Sequence, residues 1–393
     1  MILTKEYIAE NGDRYVDKKR WLWTLSVLVP LLTLVGPLLH AIFNNEALLF
    51  VPAVIFYVVI PLLDHVIGED SNNPPESIVN QLDSDLYYRV ITFILVPMLV
   101  ASFVFAAWYA MTFPLSVLGK IAMVLVSGFI CGYAINLGHE MGHKKSLWER
   151  WAAKIALSLS AYGHFNVEHN RGHHVWVATP EDGASSQMGE SIYRFYCREY
   201  PGAFIRAWQL EKERLARREL SVWSLDNEVV QSVLLTLGFY GVLAIWLGPA
   251  VLLFLLAVAV WGGFQLTSAN YIEHYGLKRK KLPNGRYERC QPKHSWNSNY
   301  LLSNWTLLHL QRHSDHHANP MRRFQSLRNF EHIPQLPAGY YTMFLVAYVP
   351  AIWFRVMDQR AFEAVDQDMD SLNILPSKLE HYSQKFVATS LSQ

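Results

Sequence analysis

Long apolar runs separated by short polar stretches make up much of the chain up to residue 274. A helix that crosses a bilayer needs roughly 20 mostly apolar residues, and six runs reach that length. They lie at about residues 21–43, 46–67, 89–113, 115–138, 229–247 and 249–271. Asn44-Asn45 and Pro114 separate neighbouring runs and indicate tight connections. The pattern predicts an all-α integral membrane protein with six transmembrane helices.

Basic residues before the first run predict its orientation. Lys5, Arg14, Lys18, Lys19 and Arg20 precede it, and Lys and Arg accumulate on the cytoplasmic side of membrane proteins. The N-terminus is therefore expected in the cytoplasm. Six crossings from there return the chain to the cytoplasm after the fourth run and after the sixth. The polar segments beyond these runs should form a helical cap on the cytoplasmic side, where both termini also lie.

This topology divides the chain into five segments. They are a cytoplasmic N-terminal segment, four transmembrane helices, a cytoplasmic segment, two further transmembrane helices, and a last cytoplasmic segment with the C-terminal tail. In that order they cover residues 1–20, 21–143, 144–228, 229–274 and 275–393. Residues 340–357 are apolar but broken by Pro350, which predicts an interfacial or re-entrant element within the last segment.

Composition supports a membrane class and narrows the possible partners. Hydrophobic residues make up 51% of the 393-residue chain and charged residues only 17%, against about 25% charged residues in soluble domains. The net charge of +1 argues against nucleic acid as a partner, because binding phosphates requires a basic surplus. Cys131, Cys197 and Cys290 lie far apart, which disfavours a disulfide framework and a cysteine-built metal site.

Clustered histidines are the distinctive feature of the composition. Of sixteen histidines, nine fall in short motifs at or beyond the cytoplasmic ends of the runs. His139 and His143 stand four residues apart, so helical spacing puts both imidazoles on one face. The other members are His169, His173, His174, His274, His313, His316 and His317. Nine imidazoles exceed the needs of one metal ion, and imidazole suits iron, zinc, copper and nickel alike. The pattern predicts a metal site without naming the metal.

Two other functions are compatible with parts of this pattern. His139-Glu140-Met141-Gly142-His143 fits the H-E-x-x-H motif of zinc proteases, but a protease would leave most of the clustered histidines without a role. A membrane metal transporter would place its ligands near the bilayer midplane, whereas these histidines gather at one end of the runs. Both alternatives are therefore disfavoured.

Four motifs carry a resemblance to a known family. His-Glu-Met-Gly-His-Lys-Lys (139–145), Glu-His-Asn-Arg-Gly-His-His (168–174) and Leu-Gln-Arg-His-Ser-Asp-His-His-Ala (310–318) resemble the three histidine boxes of the membrane diiron hydroxylases and desaturases. Asn-Tyr-Ile-Glu-His-Tyr-Gly-Leu (270–277) is similar to a further box of alkane and xylene monooxygenases. The chain resembles the AlkB-type alkane 1-monooxygenases from about residue 15 to 357.

The resemblance implies a specific chemistry. The cytoplasmic cap would carry a diiron site in which all nine histidines bind two non-haem iron ions, with O2 as co-substrate. A rubredoxin-type donor, separate or fused, would supply electrons, and medium-chain n-alkanes dissolved in membrane lipid would become primary alcohols. The location implied is the inner membrane of a bacterium, as a multi-pass protein with its active site facing the cytoplasm. A fatty-acyl desaturase or hydroxylase of the same superfamily is the alternative.

Carboxylates and histidines near the boxes are candidates for orienting the ligands. A metal-bound imidazole needs a hydrogen-bond acceptor for its other nitrogen. Most candidates lie close to a box in sequence, whereas Asp64 and Asp70 lie near the end of the second run, at the same membrane face. These candidates are Glu140, Glu168, Glu273, Asp315, Asp64, Asp70, His164 and His309. For the carboxylates, helix capping or solvation is the competing interpretation.

Helical periodicity suggests a path for the substrate. Residues four, seven and eleven positions before His139 and His274 share a face with those histidines, and glycine is frequent among them. The predicted channel comprises Ile135, Gly132, Gly128, Asn270, Thr267 and Gly263, with Phe56 as a plug at its far end. Small residues in spanning helices also permit close helix packing, which is the competing interpretation.

Basic residues in the cytoplasmic segments are candidates for binding the electron donor. Opposite charge steers the encounter of redox proteins. The candidate surface comprises Arg214, Arg217, Arg218, Lys278, Arg279, Lys280, Lys281, Arg322 and Arg323. The same residues are also expected from the general cytoplasmic bias of basic residues and their attraction to anionic lipid.

Overall fold

The computed structural model describes residues 4–390, and side chains as far as Phe386. The fold begins with a small antiparallel hairpin of strands β1 (Lys5–Ile8) and β2 (Arg14–Asp17), with Tyr7 opposite Tyr15. Helices follow throughout the rest of the described chain. An all-α membrane fold is therefore confirmed, and the hairpin is a small addition that the apolar pattern did not predict.

The helices are numbered in chain order. They are α1 (Arg20–Leu28), α2 (Leu32–Phe43), α3 (Glu46–Ile67), α4 (Val79–Ser84), α5 (Leu86–Thr112), α6 (Val117–Gly142), α7 (Leu147–Ser158), α8 (165–176), α9 (Ile192–Ala216), α10 (Glu228–Leu247), α11 (Val251–His274), α12 (Leu301–Thr306), α13 (His313–Ala318), α14 (Tyr340–Ala347), α15 (Pro350–Ala364) and α16 (Leu379–Ser390). Short 3₁₀ turns lie at Glu76–Ile78, Pro292–His294, Phe324–Ser326, Met369–Ser371 and Pro376–Lys378.

Five of these helices, α3, α5, α6, α10 and α11, are long and apolar enough to cross a membrane. The first predicted span is instead the pair α1 and α2, which meet at an angle of 50°. Pro30 lies in the break, where its missing N–H and ring disfavour a continuous helix. The pair α14 and α15 bends by 117° at Pro350. The protein is thus a multi-pass membrane protein. The number of spans is five to seven, and the value of six stays a prediction.

Helices α6 and α11 form the centre of the bundle. A Cβ atom at Gly262 would come within 2.7 Å of the Cβ of Cys131, and one at Gly132 within 2.7 Å of the Cβ of Gln265. Such distances are shorter than real side chains allow, so glycine is what permits this approach. Because the two helices run so close together, their last turns carry His139 and His274 into one region.

Helix α7 runs back along α6. A Cβ at Gly138 would collide with Leu157, the Ser160 hydroxyl donates to the Cys131 carbonyl at 3.1 Å, and the Tyr240 hydroxyl donates to the Leu159 carbonyl at 3.0 Å. Cys131 precedes the end of α6 by eleven residues, or roughly 16 Å along the helix. The first part of the predicted cytoplasmic segment 144–228 therefore lies beside the spanning helices.

Candidate metal centre

The nine predicted histidines come together in two adjacent groups. Within each group, one ligand atom from every member lies within 4.8 Å of the others. The five-histidine group comprises His139, His143, His169, His174 and His316, and the four-histidine group comprises His173, His274, His313 and His317. The ring centroids of His174 and His317 are 4.5 Å apart, so the groups adjoin. Their assignment as ligands stays a prediction, for which this arrangement is the structural support.

A π-helical turn divides the second box between the two groups. Residues His169–His173 form this turn inside α8, and a π-turn places residues five positions apart over one another. His169 and His174 therefore meet, with their Nε2 atoms 3.0 Å apart, while the Nε2 of His173 lies 3.3 Å from that of His317. Ordinary helical spacing would have paired His169 with His173.

The third box is divided in the same way by ordinary helical geometry. His313 and His317 lie four residues apart in α13, with their Nε2 atoms 2.8 Å apart. His316 projects from another side of the helix, and its Nε2 lies 2.8 Å from that of His139. The Nε2 of His274 completes the four-histidine group at 3.1 Å from that of His313.

The donor set fits a metal. Two imidazole nitrogens bound to one ion at about 2.1 Å lie roughly 3 Å apart, which matches the Nε2 separations of 2.8 to 3.3 Å. Burial lowers the pKa of His169, His316 and His317 well below its ordinary value, which keeps their lone pairs free. The Nε2 of His143 is buried without a hydrogen-bond partner among the described residues. The protein therefore has a histidine-built non-haem metal centre.

Asp182 orients one of these histidines. This role was not predicted from the sequence. Nδ1 of His173 donates to Asp182 at 2.9 Å, and the hydroxyl of Ser185 donates to the same carboxylate at 2.6 Å. Burial opposes ionisation of Asp182, but His173 and the hydrogen bonds lower its pKa to about 2. This contact leaves Nε2 of His173 facing the group. Asp182 lies in a loop nine residues after His173, so no helical spacing could have predicted the contact.

Among the predicted orienting carboxylates, Glu273 contacts a ligand candidate. Its Oε2 lies 3.4 Å from Nε2 of His313. Glu140 pairs instead with Lys144 at 3.0 Å, and Asp315 with Arg322 at 2.8 Å. Each follows or precedes a histidine directly in a helix, so it points about 100° away from the ligand face. The structure therefore pairs these two carboxylates with cations, and their orienting role stays a prediction without structural support.

Glu168 is also held away from the imidazoles. Its carboxylate accepts from Arg206 at 2.8 Å, and Arg206 also binds Glu199 at 2.7 Å. Burial and the charge of Glu168 raise the pKa of Glu199 to about 8. This buried group of three ionisable residues joins α8 to α9 and so holds the second box in place. Glu168 stabilises the fold around the centre and does not orient a ligand ring.

The remaining candidates have structural roles. Asp64 accepts from the backbone N–H groups of Leu302 and Ser303 at 3.0 and 3.1 Å and so caps α12, as the competing interpretation had it. Asp70 pairs with Lys19. His309 donates from Nδ1 to the Phe324 carbonyl at 2.7 Å, and the ring of His164 packs on Tyr162. None of these contacts is with one of the nine histidines, so an orienting role for these four candidates stays a prediction without structural support.

An apolar cavity lies between α6 and α11, directly on the membrane side of the histidines. It is lined by Phe129, Gly132, Tyr133, Asn136, Gln265, Leu266, Ala269, Leu307, Leu310, Tyr341 and Phe344. Asn136 and Leu310 each precede a ligand candidate, His139 or His313, by three residues. The cavity therefore leads towards both groups.

Most of the predicted channel residues lie elsewhere. Only Gly132 of the set lines the cavity. Gly128 packs against Trp261 and Gly263 against Tyr200. Thr267 donates to the carbonyl of Gly263 at 2.8 Å, and Ile135 packs in a separate apolar cluster. Close helix packing accounts for these positions, as in the competing interpretation, and a channel role for them stays a prediction. Phe56 is fully buried and stacks on Phe129, with ring centroids 3.5 Å apart, so it backs the cavity wall.

Several residues of the predicted donor surface are not available to a partner. Arg214 pairs with Glu211 at 2.7 Å, Arg322 with Asp315 and Arg323 with Glu149, and Arg279 is 8% exposed and donates to backbone carbonyls. The charges of these four residues are paired within the fold, so their partner-binding role stays a prediction without structural support. The others are at least partly exposed, namely Arg217, Arg218, Lys278, Lys280 and Lys281.

An open polar cleft reaches the five-histidine group directly. Its lining includes His143, Lys145, Arg150, Arg171 and His174, and His174 is half-buried. Beside His174, the side chains of Val175 and Trp176 are exposed. This cleft was not predicted from the sequence. The basic pair Lys144-Lys145, directly after the first box, is a sequence signal that could have indicated it.

The fold and the site define the class: a membrane protein with a histidine-built metal centre at the ends of its spanning helices. Comparison with known proteins identifies the family. The fatty acid desaturase family model matches residues 115–347. Alkane 1-monooxygenase 1 of Alcanivorax borkumensis is 51% identical over 96% of this chain and 93% of its own length. The alkane 1-monooxygenase of Ectopseudomonas oleovorans is 49% identical over 99% and 97%, respectively.

A more distant relative is similar over part of the chain. The xylene/toluene monooxygenase hydroxylase component XylM of Pseudomonas putida is 28% identical over 59% of this chain and 62% of its own length. The chain belongs to the alkane 1-monooxygenases of the fatty acid desaturase family.

Proposed function

We propose that this protein hydroxylates the terminal carbon of medium-chain n-alkanes at a centre of two iron ions, using O2 and electrons from a rubredoxin-type donor. In balance, R–CH3, O2, two electrons and two protons give R–CH2OH and water. The observation that carries the proposal is the pair of histidine groups at the inner end of an apolar cavity among spanning helices. The alkane 1-monooxygenase relatives support the choice of substrate.

Each histidine group would hold one iron. His139, His143, His169, His174 and His316 would bind the first, and His173, His274, His313 and His317 the second. Iron held there would activate O2 with electrons delivered from outside this chain. Asp182 would fix the tautomer of His173 and so present Nε2 to the metal.

The cavity would position the alkyl chain. An n-alkane dissolves in the bilayer, and the cavity walls of Phe129, Leu266, Leu307 and Leu310 offer it an apolar surface. Leu310 lies three residues before His313, so a chain lying along these walls would bring one end to the histidines. Apolar walls also exclude water from the reacting carbon.

Electrons would enter through the open cleft. A donor protein must approach the metal from water, and the cleft leads from the surface to His143 and His174. Lys145 would attract an acidic donor such as rubredoxin, and Trp176 offers an apolar contact. Basic residues before α1 support placing this face in the cytoplasm, with the chain in the inner membrane of a bacterium.

Metal analysis combined with product analysis tests the proposal. The purified protein, given reduced rubredoxin, O2 and a medium-chain alkane, is expected to contain about two irons per chain and to form the primary alcohol. An alkene or a hydroxy acid from a fatty-acyl substrate, without alkane oxidation, would favour the desaturase or hydroxylase alternative. One zinc per chain and no oxygen consumption would exclude the proposal.

Chain-length preference offers a test of the cavity itself. Phe56 supports Phe129 from behind, so Phe56→Ala is expected to lengthen the cavity and let longer alkanes react. A Phe to Ala change in a core costs about 3–5 kcal/mol of stability, so Phe56→Leu serves as a milder variant. Product profiles over a series of alkanes provide the measurement. An unchanged profile in both folded variants would contradict this role of Phe56.

A further inference from the structure

An ion-paired arginine lies inside the π-helical turn of the second box. Arg171 stands midway between His169 and His173, and its side chain is 33% exposed. One Nη atom contacts the carboxylate of Glu211, and the other contacts the carboxylate of Glu228. Glu211 belongs to α9 and Glu228 begins α10. One side chain of the turn therefore joins α8 to two further helices.

The charges of these two carboxylates do not require Arg171. Glu211 also pairs with Arg214 at 2.7 Å, and Glu228 also pairs with Lys154 at 3.0 Å. Each carboxylate therefore has another cation beside it. An anchoring role for Arg171 explains why its side chain also reaches both of these carboxylates.

The turn itself needs an anchor. π-helical turns are rare and occur mostly at functional sites, so contacts beyond the backbone must stabilise this one. The backbone N–H of His174 donates to the carbonyl of His169, five residues earlier. Within the helix, the side-chain amide of Asn170 donates to the carbonyl of Asn166 at 2.7 Å. Arg171 adds ion pairs that fix the turn to α9 and α10.

The register of the turn decides where His174 points. In an α-helix, residues five positions apart point about 140° away from each other. An α-helical second box would therefore pair His169 with His173 and turn His174 away. In the π-helical turn, His174 instead lies against His169 in the five-histidine group, and His173 belongs to the four-histidine group. Both groups thus depend on this register.

We propose that Arg171 is a positioning residue that holds the π-helical turn by binding α9 and α10 at once, and so assigns His174 to one metal position and His173 to the other. The inference rests on the proposed function, because it concerns the two proposed iron positions. Arg171 acts through the backbone of the turn and not through a contact with the metal. Arginine suits this role because its guanidinium presents several donors in a fixed plane, whereas lysine offers one compact charge.

Mössbauer spectroscopy of the iron-loaded protein tests the inference without using activity. Arg171→Met removes both ion pairs and keeps a long side chain. Its spectrum is expected to change for one of the two irons and to keep the signal of the other. The iron affinity of the altered position should be about 10–100-fold lower, as for other residues that position ligands, and competition with a chelator measures it. An unchanged spectrum with unchanged affinities would overturn the inference.

A double variant identifies the histidine through which Arg171 acts. His174→Ala removes the histidine that the turn positions, so it is expected to alter the same iron signal as Arg171→Met. Combining the two changes should then lower the iron affinity no further than His174→Ala alone, because both remove the same ligand. Additive losses would show that Arg171 acts elsewhere, and they would overturn the inference.

Two further variants separate anchoring from charge. Arg171→Lys keeps the positive charge but not the planar fork, so its iron affinity is expected to lie between those of the unmodified protein and Arg171→Met. Full recovery in Arg171→Lys would show that charge alone matters and would overturn the inference. Lys154→Met is the matched control, because it removes a cation from Glu228 outside the turn. It should lower thermal stability and leave the iron spectrum unchanged, and an equal spectral change would also overturn the inference.

Glu211→Gln replaces Arg171→Met if that variant does not fold. It keeps the shape of the side chain but weakens its contact with Arg171, so the same iron signal is expected to change to a smaller extent. An unchanged signal would overturn the inference. An unmodified protein that binds no iron would overturn the proposed function itself. Two irons in the unmodified protein, with signals unaltered in every variant at Arg171, would overturn the inference alone.

Discussion

The two histidine groups share one residue type but differ in their surroundings. All members of the four-histidine group are buried, and Asp182, Glu273 and Ser295 lie within 3.5 Å of their rings. The five-histidine group is held largely by contacts of its rings with one another, such as His139 with His316, and His174 is half-buried beside an open cleft.

This difference in burial shows how one metal centre can be reached from both the membrane and the water. The substrate comes from lipid and the electrons come from water, so one side of the centre must be accessible while the other excludes solvent. The four-histidine group is buried, and Asp182 fixes the ring of His173 within it. The five-histidine group adjoins the proposed path of the electron donor. Three experiments test this contrast.

Removing one histidine from each group should have the largest effect. His143→Ala in the five-histidine group and His317→Ala in the four-histidine group are each expected to lower iron from about two per chain to about one. Activity should fall by at least 100-fold, because even the partners of ligands are worth roughly 10–100-fold. His381→Ala, at an exposed histidine outside both groups, is the control. Complete loss of iron in either variant would contradict two separable metal positions.

Changing an orienting carboxylate should have an intermediate effect on one group. Asp182→Asn weakens the acceptor for Nδ1 of His173, so iron affinity is expected to fall about 10–100-fold for the four-histidine group. Competition with a chelator measures this affinity. Asp315→Asn is the comparison, because Asp315 pairs with Arg322, so its loss should lower thermal stability more than iron affinity. An equal loss of iron affinity in both variants would contradict the different roles assigned to Asp182 and Asp315.

Reversing a charge at the cleft should have the smallest effect. Lys145 lines the cleft and is exposed, so Lys145→Glu is expected to raise the KM for the donor roughly two- to five-fold, in line with exposed charge pairs of about 0.2–1 kcal/mol. The effect should vanish at high salt, where exposed charges are screened. Lys281→Glu, at an exposed lysine outside the cleft, should change the KM little. A larger effect at Lys281 would move the donor site to the surface first predicted.

The sequence predicted the spanning helices and the nine histidines because both depend on local pattern. Apolar length identifies a span, and helical spacing brings His139 and His143 together. What failed depended on tertiary geometry. Asp182 reaches His173 through a loop, and Arg279, Arg322 and Arg323 form contacts within the fold that a count of charges does not show. Gly128 and Gly263 fit the periodicity of a channel and the needs of close helix packing equally well. The structure favours packing, because Gly128 lies against Trp261 and Gly263 against Tyr200.

The second and third boxes each contribute histidines to both groups. The two groups are therefore completed in a fixed order as the chain is synthesised. When the ribosome has passed His274, four of the five histidines of one group exist but only two of the four of the other. His313, His316 and His317 then complete both groups within a single turn and a half of helix. Most candidate ligands of one position are therefore made before the third box, whereas half of those of the other position are made with it.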